Sequence, residues 1–327
     1  MNVLVVGGAG YIGSHMVQLL AQQNHRVVVL DNLTTGFEAA VTAGQLVVGD
    51  IHDQALIEQI LREHNIDAVM HFAACALVGE SVLDPAKYYQ NNIVATLSLL
   101  EAMRNCEVKK IVFSSTCATY GIPKVVPITE KEQQKPVNPY GFTKLVIENA
   151  LRDYAQAYGL GYAALRYFNA AGASRDGSIG EDHDPESHLI PIVLQVALGQ
   201  REHITIYGND YPTADGTCIR DYIHVHDLGL AHLAALQKIE PGKGIELNLG
   251  TGNGHSVREV IEVCRQITGH EIPEVLGERR PGDPPELVAD ASLARQELAW
   301  SPTIPSLREI IQTAWNWHQS HPHGYSK

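Results

Sequence analysis

The sequence predicts an α/β protein: a doubly wound parallel sheet, followed by a smaller C-terminal α/β lobe. Three observations predict it. Through the first half, short apolar runs alternate with longer amphipathic stretches. A glycine-rich turn joins the first run to the first stretch. After Asn169 the rhythm gives way to a polar loop and then to shorter, mixed elements.

The apolar runs Val3–Val6, Val27–Leu30, Leu46–Val48, Ala68–His71, Ile111–Ser115 and Tyr162–Arg166 read as buried strands. Between them Tyr11–Gln22, Gln54–Glu63, Asn92–Met103 and Tyr140–Tyr158 carry helical patterning. Strand, helix, strand with right-handed crossovers gives a parallel sheet covered on both faces. The stretch from Ala170 to Pro185, rich in Gly, Ala, Ser and Asp, reads as a loop leaving the first domain. Ile204–Tyr207, Ile245–Leu249, Ser256–Thr268 and Ser306–His318 read as the strands and helices of the smaller lobe. The expected division is 1–170 and 171–327. It is interleaved, because residues about 218–238 (Asp221–Val225 and Asp227–Leu236) are candidates to rejoin the main sheet.

A chain of 327 residues exceeds one ordinary core, which suits a large domain with a lobe. The balance of 37 acidic against 24 basic residues argues against a nucleic-acid binder. No apolar run reaches the roughly 18 residues of a membrane span, so no membrane partner is expected. The N-terminus runs directly into glycines without a basic leader, and none of the five cysteines form a C-x-x-C pair. Both features suit a cytoplasmic protein with reduced thiols.

Gly7-Gly8-Ala9-Gly10-Tyr11-Ile12-Gly13 follows the first strand and opens the first helix. Three glycines spaced three apart allow a tight turn, let backbone approach a pyrophosphate and let helix pack on strand. The helix N-terminus supplies the positive end for phosphates. Asp31 ends the second strand, where an acid would bind the adenosine ribose and repel a 2′-phosphate. The expected cofactor is therefore NAD on a Rossmann sheet.

Tyr140-Gly141-Phe142-Thr143-Lys144 puts a phenol and an ammonium one helical turn apart. A free phenol is a poor base at neutral pH. The neighbouring ammonium and the helix N-terminus are expected to favour phenolate, making Tyr140 a proton acceptor for a sugar hydroxyl. Ser114-Ser115-Thr116 closes a central strand at the edge where doubly wound sheets bind ligands.

Together these three motifs resemble the extended short-chain dehydrogenase family over nearly the whole chain. The strings His71-Phe72-Ala73-Ala74, Arg166-Tyr167-Phe168-Asn169, Tyr207-Gly208-Asn209-Asp210-Tyr211-Pro212-Thr213, Arg220-Asp221-Tyr222-Ile223-His224-Val225 and Arg280-Pro281-Gly282-Asp283 are similar to the UDP-hexose 4-epimerases within it. The resemblance implies a catalytic Tyr140 with Lys144 and Thr116. It implies NAD contacts from Gly7, Gly10, Tyr11, Ile12, Gly13, Asp31, Asn32, Asp50, Ile51, Phe72, Ala73, Ala74, Asn91, Ser114 and Phe168, besides Tyr140 and Lys144. It implies UDP-sugar contacts from Thr116, Tyr140, Asn169, His188, Leu189, Thr205, Ile206, Tyr207, Arg220, Arg280, Asp283 and Leu287. It further implies C4 inversion through a bound 4-keto sugar, and a homodimer joined by the helices containing Asn92–Met103 and Thr143–Tyr158. Two departures stand out: Ala76 where some members carry Lys, and Leu287 where some carry Tyr, which leaves room for N-acetylated sugars.

Rival readings within the fold are a UDP-pentose or UDP-GlcNAc 4-epimerase and a UDP-glucuronate decarboxylase. A 4,6-dehydratase is disfavoured, because Cys117-Ala118 stands where its Asp-Glu pair belongs. A non-catalytic NAD sensor would have no use for Thr116, Tyr140 and Lys144 together. His224 and His226 would share one face of a strand, but without a third ligand no metal site is expected. His318, His321 and His323 read as a polar, disordered tail.

Overall fold

The computed structural model describes residues 1–280 and 282–325. Pro281 of the Arg280–Asp283 run and the last two residues of the expected lobe lie outside them. In chain order the elements are β1 (Asn2–Val6), α1 (Tyr11–Gln22), β2 (Arg26–Asp31), β3 (Gln45–Val48), α2 (Gln54–Glu63), β4 (Ala68–His71), α3 (Val78–Leu83), α4 (Pro85–Tyr88), α5 (Ala95–Asn105), β5 (Lys110–Thr116), α6 (Pro139–Tyr158), β6 (Gly161–Tyr167) and β7 (Asn169–Ala171). They continue with α7 (Leu189–Ala197), β8 (Ile204–Tyr207), β9 (Ile219–His224), α8 (Val225–Lys238), β10 (Gly244–Leu249), β11 (Gly254–Ser256), α9 (Val257–Thr268), β12 (Glu274–Gly277), β13 (Glu286–Leu287), α10 (Ser292–Leu298) and α11 (Leu307–Ser320).

Seven parallel strands form the main sheet in the order β10-β6-β5-β4-β1-β2-β3. Their side chains are apolar on both faces because both faces are covered. One face packs Val3, Val5, Val29 and Met70 against Val17 and Leu20 of α1 and Leu228, Ala231 and Leu236 of α8. The other packs Leu4, Val69, Ile111 and Phe113 against Ile57 of α2, Leu99 and Met103 of α5 and Ile147 and Leu151 of α6. A third core joins α7, α9 and α11 around Val193, Ile261 and Ile311.

The structure corrects several expectations. Ile245–Leu249 does not belong to the lobe: as part of β10 it extends the main sheet beside β6, with Leu247 opposite Leu165. The 218–238 segment divides at His224. β9 lies in the smaller sheet with β7, β11 and β13, whereas α8 packs on the main sheet. His224 and His226 therefore do not share a strand. His224 is the buried cap of α8, and its Nδ1 accepts the His226 N–H at 3.0 Å. The helix expected over Asn92–Met103 is widened at its start, where Tyr89–Val94 forms a π turn before α5 begins. Finally, His318 is a buried residue of α11 and His321 stacks on Trp317, so that tail is docked. Its apolar partners are Phe37 and Tyr325. Among the described residues no helix is long and apolar enough to cross a membrane.

Candidate active site

Ligands of doubly wound sheets bind outside the strand C-termini where the strand order reverses, here between β1 and β4. The β1–α1 turn lies at that point. Gly7 has φ +81°, and a Cβ there would lie 2.4 Å from the Ala73 nitrogen. A Cβ on Gly13 would lie 2.1 Å from the Gly7 oxygen. These two glycines let strand, turn and helix close on each other. Gly10 differs: a Cβ there would meet only the Gly7 oxygen, at 3.5 Å. Gly10 also stands before the first turn of α1, which has no side-chain cap and no acidic residue in that turn. Uncapped N–H groups opening onto free space are what a pyrophosphate requires, so the cradle fits a dinucleotide.

The neighbouring strand ends carry the rest of the residues expected at the cofactor. Asp31 accepts the Ala9 N–H through Oδ2 and the Leu33 N–H through Oδ1, both at 2.9 Å. Burial raises its pKa and these two bonds oppose the rise. Asn32 donates to Asp50 at 3.1 Å, and the His52 backbone N–H holds the Asp50 carboxyl below its usual range. Ile51 is buried, and Phe72, Ala73 and Ala74 follow β4 directly. Asn91 lies in the π turn and donates to Asn92 at 3.0 Å. Asn92 in turn accepts the Cys75 N–H at 2.8 Å and donates to the Cys75 carbonyl at 3.0 Å, which ties the turn to the loop after β4.

Thr116 is the last residue of β5, and Pro139 starts α6 with Asn138 as its cap, its side chain accepting the Gly141 N–H at 2.8 Å. The Thr116 hydroxyl lies near enough to the Tyr140 phenol to favour its ionisation. Burial outweighs this and pushes the phenol up to about 12. Lys144 is buried as well, and its Nζ donates to the Ser114 carbonyl at 2.8 Å over the Phe113 ring. Burial pulls its pKa down to about 7, against Glu148. Burial thus opposes both ends of the expected phenolate–ammonium pair. Desolvation disfavours both charges, and the amine is turned to a strand carbonyl. The Ser114 hydroxyl is occupied by Tyr167.

Of the lobe residues, Leu287 and Arg220 reach the same rim. Leu287 pairs with Arg220 in register and packs with Cys117 and Phe168, the neighbours of Thr116 and Asn169. Arg220 donates to Asp283 at 2.5 Å; burial pushes the Cys117 thiol up to about 12, and the nearby Arg220 charge opposes that rise. Asn169 begins β7 opposite Tyr222. His188 and Leu189 open α7. The Arg280 guanidinium covers the Tyr207 ring at 4.2 Å, on the strand that carries Thr205. Ile206 is an exception among the expected contacts: its side chain is buried in the third core, leaving only its backbone for a ligand.

Comparison with known proteins identifies the context. The model of the NAD dependent epimerase/dehydratase family matches residues 3–250. The chain belongs to that family. It is 56% identical over 327 residues to the UDP-glucose 4-epimerase of Halalkalibacterium halodurans, covering 100% of this chain and 98% of that protein. A crystal structure of UDP-glucose 4-epimerase superposes with TM-score 0.97 at 51% identity, over 100% of both chains. The Brucella ovis UDP-glucose 4-epimerase in complex with NAD superposes with TM-score 0.93 at 53% identity, covering 96% and 97%.

In this epimerase/dehydratase fold, two site residues escaped the sequence reading. Tyr167 is a buried phenol bonded to Ser114 and near enough to Tyr140 for their charges to interact. Glu148 lies one turn beyond Lys144 and accepts from Ser115 at 2.5 Å and from Arg166 at 2.6 Å. The signal for Glu148 was its spacing of four from Lys144, which continues the same helix face.

Proposed function

We infer that the protein is a UDP-glucose 4-epimerase, interconverting UDP-glucose and UDP-galactose with NAD as its cofactor. The observation that carries this is the placing of Thr116, at the end of β5, near Tyr140, in the first turn of α6, in a chain that has a dinucleotide cradle and is alike over its full length to enzymes of that name. NAD, when bound, supplies a positive charge and a reversible hydride acceptor at the sugar C4.

The chain's own residues bind and move protons. The N-terminus of α1 and Gly10 hold the pyrophosphate of the cofactor, and Asp31 its adenosine ribose. Tyr140 takes the proton of the sugar 4-hydroxyl and later returns it, with Thr116 orienting that hydroxyl. Lys144, anchored on Ser114, holds the nicotinamide ribose. Arg220 and Arg280 bind the UDP phosphates, Arg220 being fixed by Asp283. Asn169, His188, Leu189, Thr205 and Tyr207 complete the sugar-nucleotide site. The hexose pocket stays loose enough for the sugar to present either face.

Tyr89, Val94, Leu97 and Phe142 are apolar residues left exposed along the π turn, α5 and α6. This face supports a homodimer closed by a four-helix contact. The five free thiols suit the cytoplasm. Purified protein given UDP-galactose should form UDP-glucose with no added oxidant or reductant. Accumulation of a keto sugar, or release of carbon dioxide from UDP-glucuronate, would refute the reading.

A further inference from the structure

The loop between β7 and α7 gathers Glu181, His183, Glu186 and His188, whose ligating atoms all lie within 4.8 Å of one another. His183 Nδ1 stands 3.5 Å from Glu181 Oε1 and 3.5 Å from Glu186 Oε2. His188 Nδ1 stands 2.8 Å from Glu181 Oε1 and 3.5 Å from Glu186 Oε1. Four donors about 2.0–2.1 Å from one zinc ion would be spaced roughly 3.4 Å apart around a tetrahedron.

Two of the same atoms are also unsatisfied, whereas Glu186 Oε1 accepts the Ser187 and His188 N–H groups. Glu181 is 4% exposed, yet its Oε1 makes no hydrogen bond, and neither does the buried Nδ1 of His183. His188 Nδ1 comes close to Glu181 Oε1 but is aligned too poorly to bond it. Buried polar atoms ordinarily find partners. Here two imidazoles and two carboxylates converge on one point at ion-pair distance while two buried atoms among them make no hydrogen bond, which is an arrangement a central cation resolves.

We propose that Glu181, His183, Glu186 and His188 bind a divalent transition-metal ion, with zinc the best match to two imidazoles and two carboxylates. Two carboxylates and two neutral imidazoles balance a charge of two. No open position is left among four protein ligands, so the role is structural. The ion fastens the loop where it meets three other parts of the chain. Gly180 lies under the Trp317 ring of α11, where a Cβ would come within 2.3 Å of the indole. The His183 ring meets the edge of Tyr11, in the first turn of α1, at 6.2 Å. His188 caps the start of α7. Through Nδ1 it serves the metal, leaving Nε2 for the sugar nucleotide. The spacing Glu-x-His-x-x-Glu-x-His fits no regular element, so only the coiling of the loop brings the four together.

The test uses the full chain purified without a histidine tag and stripped by a chelator. Titrated with zinc, it should take up one equivalent that survives gel filtration, and its thermal midpoint should rise with free zinc. Cobalt(II) in its place should give the intense visible bands of a tetrahedral site. His183→Ala should weaken zinc binding at least about a hundredfold, since even partners of ligands are worth up to that much. If His183→Ala does not fold, the isosteric Glu186→Gln carries the test with the same expectation. Failure to bind zinc at micromolar concentration overturns the proposal. So does an unchanged zinc affinity in the folded variants.

Discussion

Arg166 on β6 donates to Glu148 on α6 through both Nε, at 2.9 Å, and Nη2, at 2.6 Å, with the two side chains 1% and 0% exposed. This pair fixes the helix bearing Tyr140 and Lys144 to the strand that leads to Asn169. Removing Glu148 leaves the buried Arg166 only Glu246, which it already shares with Arg152, and loss of a partner from a buried pair costs up to roughly 3–5 kcal/mol. Glu148→Leu should therefore lower the unfolding free energy by about that much in urea titration. Glu148→Leu with Arg166→Met should recover part of the loss, because it removes both charges. A loss equal to the sum of the single variants would show that the pair does not act as one.

Tyr140→Phe keeps the ring and its packing but has no proton to exchange. Turnover of UDP-galactose should fall by about two to four orders of magnitude with the circular dichroism spectrum unchanged. Retention of the parent rate would remove Tyr140 as the base.

Burial brings the Lys144 amine from 10.5 to about 7. Between those values the unfolded chain holds a proton that the folded one has released, so stability rises with pH across this window. The rise is at most about 1.4 kcal/mol per pH unit for one proton. Lys144→Met should flatten that part of the stability curve. An identical slope in the variant would mean that the amine stays charged in the fold.

The buried His232 ring donates only to the Leu228 carbonyl, 2.8 Å from Nδ1, and its Nε2 is unpaired. Burial takes its pKa from 6.5 to about 4. The unfolded chain binds the extra proton in that interval, so stability is lost as pH falls from 6.5 toward 4. His232→Leu should move the acid unfolding midpoint to lower pH, followed by tryptophan fluorescence. A midpoint that moves upward would show that the Leu228 bond matters more than the ring's proton.

The glycine turn separates two effects. Gly13→Ala puts a methyl 2.1 Å from the Gly7 oxygen and should cost at least about 2 kcal/mol of stability. Gly10→Ala meets only ordinary contact at 3.5 Å. It should leave the thermal midpoint nearly unchanged while weakening NAD binding by about tenfold or more, since the methyl occupies the space of the pyrophosphate. Calorimetry on both variants checks the contrast.

Leu287 packs beside Cys117 and Phe168 at the substrate end of β5. Leu287→Tyr should depress turnover of UDP-GlcNAc relative to UDP-glucose by about tenfold or more, the larger ring filling space for the acetamido group. An unchanged ratio would remove Leu287 as the gate.

What could be read from the sequence was what local periodicity encodes. Gly7, Gly10 and Gly13 stand at the first turn, and Tyr140 and Lys144 share a helix face, because their spacing alone decides both. The ionisation of that pair could not be read, since it depends on burial and on the Ser114 carbonyl from a strand thirty residues earlier. The place of Gly244–Leu249 could not be read either: its partner in β6 lies across the whole β7–α8 excursion. The metal-type cluster was hidden for a related reason, since its spacing follows a loop and not a repeat.

The return of β10 to the main sheet has a practical corollary. A shortened chain ending near residue 170 would lack both this outer strand and the helix α8 that covers Val17 and Leu20. Such a fragment would present bare backbone and bare hydrocarbon to water and should precipitate on expression. The cofactor half of this protein is thus completed only by residues made after the first elements of the lobe, β7 to β9, and before its last helices.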